Sequence, residues 1–209
     1  MVLKDPCLVY WLNNNLYLNI TNRCSNNCYF CIRNFRNGVG RFNLKLKREP
    51  RVSEVISELQ SVINRRSWNE IVFCGFGEPF ERLDCLLEVT RWIRRYHGKT
   101  VKIRIDTNGH GCLINEGRDI VKELREVSID RISVSLNAHD KETYNRVCRP
   151  RFDNAFEKVL EFIENTKKYF FVNITTVAIP EVDILKVRKI AERLGVEFRA
   201  REFVPCFLN

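Results

Sequence analysis

Three cysteines stand within eight residues, in the run Cys24-Ser-Asn-Asn-Cys28-Tyr-Phe-Cys31. Three thiolates so close in sequence can wrap one inorganic centre. Four equivalent ligands would close a structural zinc site. Three leave an iron–sulfur cubane with one iron not satisfied by protein, open to a small molecule. The surrounding residues, Asn22, Arg23, Ser25, Asn26 and Asn27, are polar, so the run is not a piece of core. A zinc site would need a fourth ligand from Cys7, His97, His110 or His139, and none of these has the spacing of a zinc knuckle. The chain holds nine cysteines, an odd number at uneven spacing, which argues against a disulfide framework. Cys112, Cys148 and Cys206 are far apart and form no C-x-x-C pair, so no second cluster is expected.

Further polar groups punctuate the chain downstream. Gly75-Phe-Gly77-Glu78-Pro79 follows a short apolar run, and glycines there let backbone approach a ligand closely. Asp106-Thr-Asn108-Gly109 and Ser135-Leu-Asn137 follow two more such runs. Cys148 lies in a polar segment between Arg146 and Arg149, cations that favour a thiolate. It is a candidate hydrogen-atom donor or radical relay, against the alternative of a small structural side chain in a loop.

The elements that must position these groups follow from periodicity. Val52, Val55, Ile56, Leu59, Val62 and Ile63 share a helix face. Residues 71–73 form a short strand. Leu83, Leu86, Leu87, Thr90 and Ile93 make a helix that Gly98 can stop. Val101, Ile103 and Ile105 alternate as a strand, Ile120, Val121, Leu124 and Val127 return to helix spacing, and Ile132, Val134 and Leu136 alternate again. Phe156, Val159, Leu160 and Ile163 predict a helix capped by Asp153 or Asn154; residues 171–179 are strand-like. Pro180 should open a helix that Gly195 closes, and residues 196–200 make a last strand. Ahead of the series, residues 8–12 and 16–20 read as a hairpin across Asn13-Asn14-Asn15, its second arm being the first strand of the repeat. Six βα units with apolar strands argue for a parallel sheet, either a partial barrel or an open doubly wound sheet, in one domain over residues 1–209.

The cysteine run and the three polar segments then fall at the carboxyl ends of four successive strands, where parallel sheets and barrels build active sites. Together they resemble the radical S-adenosylmethionine (SAM) superfamily, whose hallmark is C-x-x-x-C-x-aromatic-C. The resemblance covers essentially the whole chain and implies an α/β fold, a partial (β/α)6 TIM-like barrel with an N-terminal β-hairpin. It implies one [4Fe-4S] cluster on Cys24, Cys28 and Cys31, with Phe30 by the adenine of S-adenosylmethionine. Gly75, Gly77 and Glu78 match the family's glycine-glycine-glutamate segment, with Phe76 splitting the glycines. Glu78 would fix the cofactor's amino group or the local strand end. Asn108, Ser135 and Asn137 would contact ribose and carboxylate, and Val204, in Phe203-Val204-Pro205, would border adenine. The implied chemistry is reductive cleavage of SAM to a 5′-deoxyadenosyl radical that takes a hydrogen atom from a substrate, with a ferredoxin or flavodoxin as electron donor. More narrowly, Leu16-Tyr-Leu-Asn-Ile-Thr-Asn-Arg-Cys24, Phe73-Cys-Gly-Phe-Gly-Glu-Pro79 and Tyr144-Asn-Arg-Val-Cys148-Arg-Pro150 are similar to small radical SAM proteins associated with TatD-type metal-dependent hydrolases. That likeness implies a functional association with such a hydrolase.

Composition constrains the remainder. Apolar residues make up 44% of 209, enough for a core. No apolar run reaches the roughly 20 residues of a membrane span, and no signal peptide is read, so a cytoplasmic protein is expected. The net charge of +9 is concentrated in residues 33–51 and 91–104. Those stretches read as solvated faces, or as a site for an anionic partner such as nucleic acid. Two rival classes follow: a zinc- or nucleic-acid-binding module, and a simple iron–sulfur electron carrier.

Overall fold

A computed structural model describes residues 5–203. The chain opens with the expected hairpin, β1 (Val9–Leu12) and β2 (Asn15–Leu18), turning at Asn13 with φ 52°. A small ribbon not foreseen from the sequence follows the cysteines, β3 (Gly38–Val39) against β4 (Phe42–Asn43). Then come α1 (Val52–Ile63), β5 (Glu70–Phe73), α2 (Leu83–His97), β6 (Lys102–Thr107), the single turn α3 (Gly111–Ile114), α4 (Ile120–Glu126), β7 (Arg131–Ser135), α5 (Lys141–Cys148), α6 (Ala155–Thr166), β8 (Phe171–Ala178), α7 (Ile184–Leu194) and β9 (Glu197–Glu202).

The large sheet runs β1-β2-β5-β6-β7-β8-β9. Only the β1–β2 pair is antiparallel, so β2 and β5 to β9 form six parallel strands. The pairing register assigns one face to each residue. Leu16, Leu18, Ile71, Phe73, Ile103, Ile105, Ile132, Val134, Val172 and Ile174 lie buried under the helices and form the core. The other face carries Tyr17, Arg104, Asp106, Ser133, Ser135, Asn173, Thr175, Arg199 and Arg201. One face is therefore packed and the other polar, as a partial barrel with a working interior requires.

Local chemistry fixes the helix ends. Asp119, Asp140 and Asp183 each accept the backbone N–H three residues on, from Lys122, Thr143 and Lys186, satisfying donors a helix start leaves open. Asp183 corrects the expected start of α7. Pro180 lies in a turn, and the helix begins at Ile184 because the carboxylate cap is there. Gly98 and Gly195 end α2 and α7 at positive φ, as expected. Asn154 precedes α6 without a side-chain cap. The segment read as a polar loop around Cys148 is instead α5, with Tyr144, Val147 and Cys148 buried on one face and charged residues on the other.

Candidate functional site

The strap from Asn19 to Arg23 leads from β2 into the cysteine run. Asn19 donates to the carbonyls of Cys7 and Leu44, tying the strap to the hairpin side. Gly75 and Gly77 lie directly against it. A Cβ on Gly75 would fall 2.1 Å from Asn19 Oδ1, and one on Gly77 would fall 2.4 Å from the Arg23 carbonyl. Both glycines are thus demanded by close backbone approach at the strap. Phe76, between them, turns into a separate apolar cluster with Tyr10, Phe42 and Leu44.

The cysteine run has little regular structure and borrows its backbone partners. Asn27 N–H donates to the Cys148 carbonyl at 3.0 Å and Tyr29 N–H to the Val147 carbonyl at 3.3 Å. These are carbonyls that the end of α5 would otherwise leave open. Arg151 N–H donates to the Ser25 carbonyl and Glu78 N–H to that of Arg23. Beneath the run lies a buried polar chain. Asn108 Nδ2 donates to Ser25 Oγ at 2.9 Å, Ser25 Oγ meets His110 Nδ1 at 2.8 Å, His110 Nε2 meets Tyr144 OH at 2.9 Å, and Asn26 Nδ2 donates to Tyr144 OH at 3.1 Å. His110 is fully buried, and burial, then the Arg151 charge, lowers its imidazole to about 4. It is a neutral imidazole with both ring nitrogens engaged.

The three cysteines lie side by side at the carboxyl end of the parallel strands, near the ends of β6 and α5. Cys24 is pushed up to about 12, first by burial and then by the Glu78 charge. Cys28 is lowered, first by a hydrogen bond from the Cys148 thiol, which is itself raised by that bond and by burial. Arg33 Nε donates to Cys31 Sγ at 3.3 Å. Asn108 Nδ2 also reaches Cys24 Sγ, at 3.7 Å. Among the described residues no three His, Cys, Asp or Glu side chains converge on a point where one metal ion could sit. A cubane offers each thiolate its own iron, and the all-sulfur donor set with hydrogen-bond donors at the sulfurs fits such a cluster.

The other expected site residues fall at the same end of the sheet. Glu78 is buried and accepts from Phe80 N, Thr107 Oγ1 and Asn108 N, latching the end of β5 to that of β6. Burial pushes its carboxyl up to about 7 against those three donors. Asn108 turns its oxygen to His110 N and its amide to the cysteine run. Asn137 accepts from Val177 N, joining the ends of β7 and β8. Ser135 Oγ, half-buried on the polar face, lies 3.5 Å from Thr175 Oγ1 and accepts from Arg201 at 3.4 Å. Phe30 is buried edge-on to Tyr29. Cys148 is fully buried, in the last turn of α5, against Cys28. Val204 and Cys206 lie outside the described residues. Arg33, Ser25, Asn26, His110 and Tyr144 were not expected as a group. The signals were an arginine two residues beyond the last cysteine and a lone histidine following the third parallel strand.

Several cations of the two basic stretches have partners within the chain. Arg48 pairs with Glu54, Arg94 and Lys102 with Asp130, Arg104 with Glu70 and Asp106, and Arg41 stacks on Trp11 and Phe42. No helix among the described residues is long and apolar enough to cross a membrane.

Comparison with known proteins identifies a family and a fold. A family model described as "Radical SAM superfamily" matches residues 18–194. A "Probable GTP 3',8-cyclase" of Thermococcus kodakarensis is 30% identical over 155 residues, 74% of this chain and 44% of that protein. The "GTP 3',8-cyclase" of Rhodopirellula baltica is 25% identical over 201 residues, 92% of this chain and 51% of that one. The chain spans about half the length of these two curated relatives. Among solved structures, SuiB of Streptococcus suis superposes with a TM-score of 0.68 at 15% identity, covering 98% of this chain and 41% of that one. Methylornithine synthase gives 0.61 at 18%, covering 91% and 53%. At these identities the likeness is one of fold.

Proposed function

The chain belongs to the radical SAM superfamily, and from that premise we propose that it holds one [4Fe-4S] cluster on Cys24, Cys28 and Cys31 and acts as a hydrogen-abstracting enzyme. Bound there, cluster and S-adenosylmethionine would supply one-electron cleavage of the C5′–sulfur bond, giving methionine and a 5′-deoxyadenosyl radical that takes a hydrogen atom from substrate. The protein's own part is positioning. The Ser25–His110–Tyr144–Asn26 chain fixes the floor of the cysteine run. Glu78 fixes the adjacent strand ends, and Gly75 and Gly77 let the strap lie against them. Ser135, Asn137, Asn108, Phe30 and Val204 are the proposed surroundings of the SAM nucleoside and carboxylate. Substrate would lie on the polar face, where Arg104, Asp106, Ser133, Asn173 and Arg201 offer charge and hydrogen bonds.

The observation that carries this reading is the placement of the three cysteines at the carboxyl end of a six-stranded parallel sheet, with Arg33 donating to the Cys31 sulfur and Asn108 reaching that of Cys24. A simple electron carrier has no use for an adjoining polar sheet face, and a zinc module needs ligands that meet at one ion, which no three His, Cys, Asp or Glu side chains do among the described residues. The test is anaerobic incubation of reconstituted protein with dithionite and S-adenosylmethionine. The expected product is 5′-deoxyadenosine even without substrate; its absence from protein carrying about four irons and four sulfides overturns the reading. A nucleoside triphosphate is the first substrate to try, because the relatives matched over 74% and 92% of the chain are named for GTP. A ferredoxin or flavodoxin as donor, a cytoplasmic location and a link to a TatD-type hydrolase complete the proposal. The last is supported by the segments ending at Cys24, Pro79 and Pro150. A hydrogen-atom donor role for Cys148 has least room, because its side chain is fully buried.

A further inference from the structure

Two of the three cysteine sulfurs have a side-chain donor within reach, and the donors come from separate places. Arg33, in the turn after the run, reaches Cys31 at 3.3 Å; Asn108, at the end of β6, reaches Cys24 at 3.7 Å. Arg33 is held in place by its other nitrogens, which donate to the carbonyls of Asn22 at 2.8 Å and Asn26 at 3.4 Å. Both carbonyls belong to the segment that carries the cysteines, so the guanidinium moves with the cluster site. Among the described residues no carboxylate pairs with it, and its half-buried charge is directed at sulfur.

Resting on the cluster reading above, we infer that Arg33 and Asn108 form a donor pair at two of the thiolates that raises the reduction potential of the cluster, Arg33 contributing most. An added electron makes the ligating thiolates richer in charge and better acceptors. A donor at a ligand sulfur therefore stabilises the reduced cluster more than the oxidised one. A cationic N–H in a half-buried place does this more strongly than a neutral amide. These residues touch the ligands rather than the reacting atoms, so they are positioning residues whose effect is read in a potential.

The experiment is a potentiometric titration of the anaerobically reconstituted full chain, followed by electron paramagnetic resonance of the reduced cluster, with iron measured on each sample. The variants are Arg33→Gln, Arg33→Lys and Asn108→Ala. Arg33→Gln is expected to weaken reduction by about tenfold, which for a one-electron couple is a potential lower by about 59 mV. Arg33→Lys should recover part of this. Asn108→Ala should shift it in the same direction by a smaller factor. If Arg33→Gln fails to load iron, the Arg33→Lys and Asn108→Ala variants decide. Variants with wild-type iron and a reduction equilibrium within twofold of wild type overturn the inference and leave the cluster reading intact. Lowered iron at unchanged potential does the same, because it marks a purely structural role. A wild-type chain that takes up no iron overturns both.

Discussion

Tyr144→Phe removes one oxygen from a fully buried side chain and leaves the ring. The ring keeps its contacts, with Phe156 at 5.8 Å and His110 at 6.2 Å between centroids, so no cavity beyond a hydroxyl is made. The hydroxyl has two partners, His110 Nε2 at 2.9 Å and Asn26 Nδ2 at 3.1 Å, and both residues are buried. Each would be left without a partner, at about 1–3 kcal/mol apiece. Asn26 Oδ1 already lacks one, so the amide gains nothing by turning over. The expected loss is about 3 kcal/mol, or about 6–12 °C in Tm for a chain of this size. Urea unfolding of the iron-free protein should show a lower midpoint at unchanged slope, the sign of altered stability rather than altered compactness. Iron uptake should also weaken, because Asn26 lies between two ligands. A loss below about 0.5 kcal/mol with normal iron uptake would refute the reasoning, since it would mean that His110 Nε2 and Asn26 Nδ2 find other partners at little cost.

His110 has a folded value of about 4 against 6.5 unfolded, so the unfolded chain binds more protons in that window and this contribution to stability is lost as pH falls from about 6.5 to 4. The stability difference between wild type and His110→Gln should shrink over that range by up to about 3 kcal/mol; a difference flat with pH in urea titrations contradicts the neutral buried imidazole. Gly77→Ala puts a methyl 2.4 Å from the Arg23 carbonyl and 2.6 Å from that of Thr21, so the strap must move. Lower iron uptake and a lower Tm are expected, and wild-type values for both would show that the strap yields freely. Asp183→Ala removes the cap on α7 and should cost about 1 kcal/mol with iron uptake unchanged. Replacing Cys24, Cys28 and Cys31 together by Ala should abolish iron and sulfide binding, measured after anaerobic reconstitution.

What was legible in the sequence is what periodicity and turn chemistry encode. Ile103 and Ile105 alternate because one face of β6 meets helices, and Gly195 ends α7 because a left-handed residue is needed there. The α/β class, the hairpin and the succession of strands and helices follow from such signals; the sequential order of the strands within the sheet does not, because the same periodicity suits an open doubly wound sheet. α5 was hidden because only Thr143, Tyr144, Val147 and Cys148 face inward, among Lys141, Glu142, Asn145 and Arg146. A short helix with a narrow apolar stripe looks like a polar loop until its neighbour is known. The site was legible as a cysteine triplet and as polar groups at strand ends. Its wiring was not, because Ser25 and His110 are 85 positions apart, and Asn26 and Tyr144 are 118 apart. Only the tertiary fold makes those pairs neighbours, and no spacing rule announces them.

That wiring explains why an irregular run of cysteines can be held to a fixed shape. A loop without its own hydrogen-bond ladder should be among the first places to open. Here the run takes its backbone partners from the end of α5 and from Arg151, and side-chain partners from the turn after β6. The loop in turn satisfies the open carbonyls of α5. Each part therefore lacks something the other supplies, and neither can relax alone without stranding buried polar groups. A cluster bound to Cys24, Cys28 and Cys31 would tie the same pieces once more, so its binding energy would appear as stability of this whole end of the sheet. The placement of Cys148 follows from the same economy. The backbone bonds that join α5 to Asn27 and Tyr29 bracket Cys28, so the last residue of that helix, Cys148, is buried beside the run.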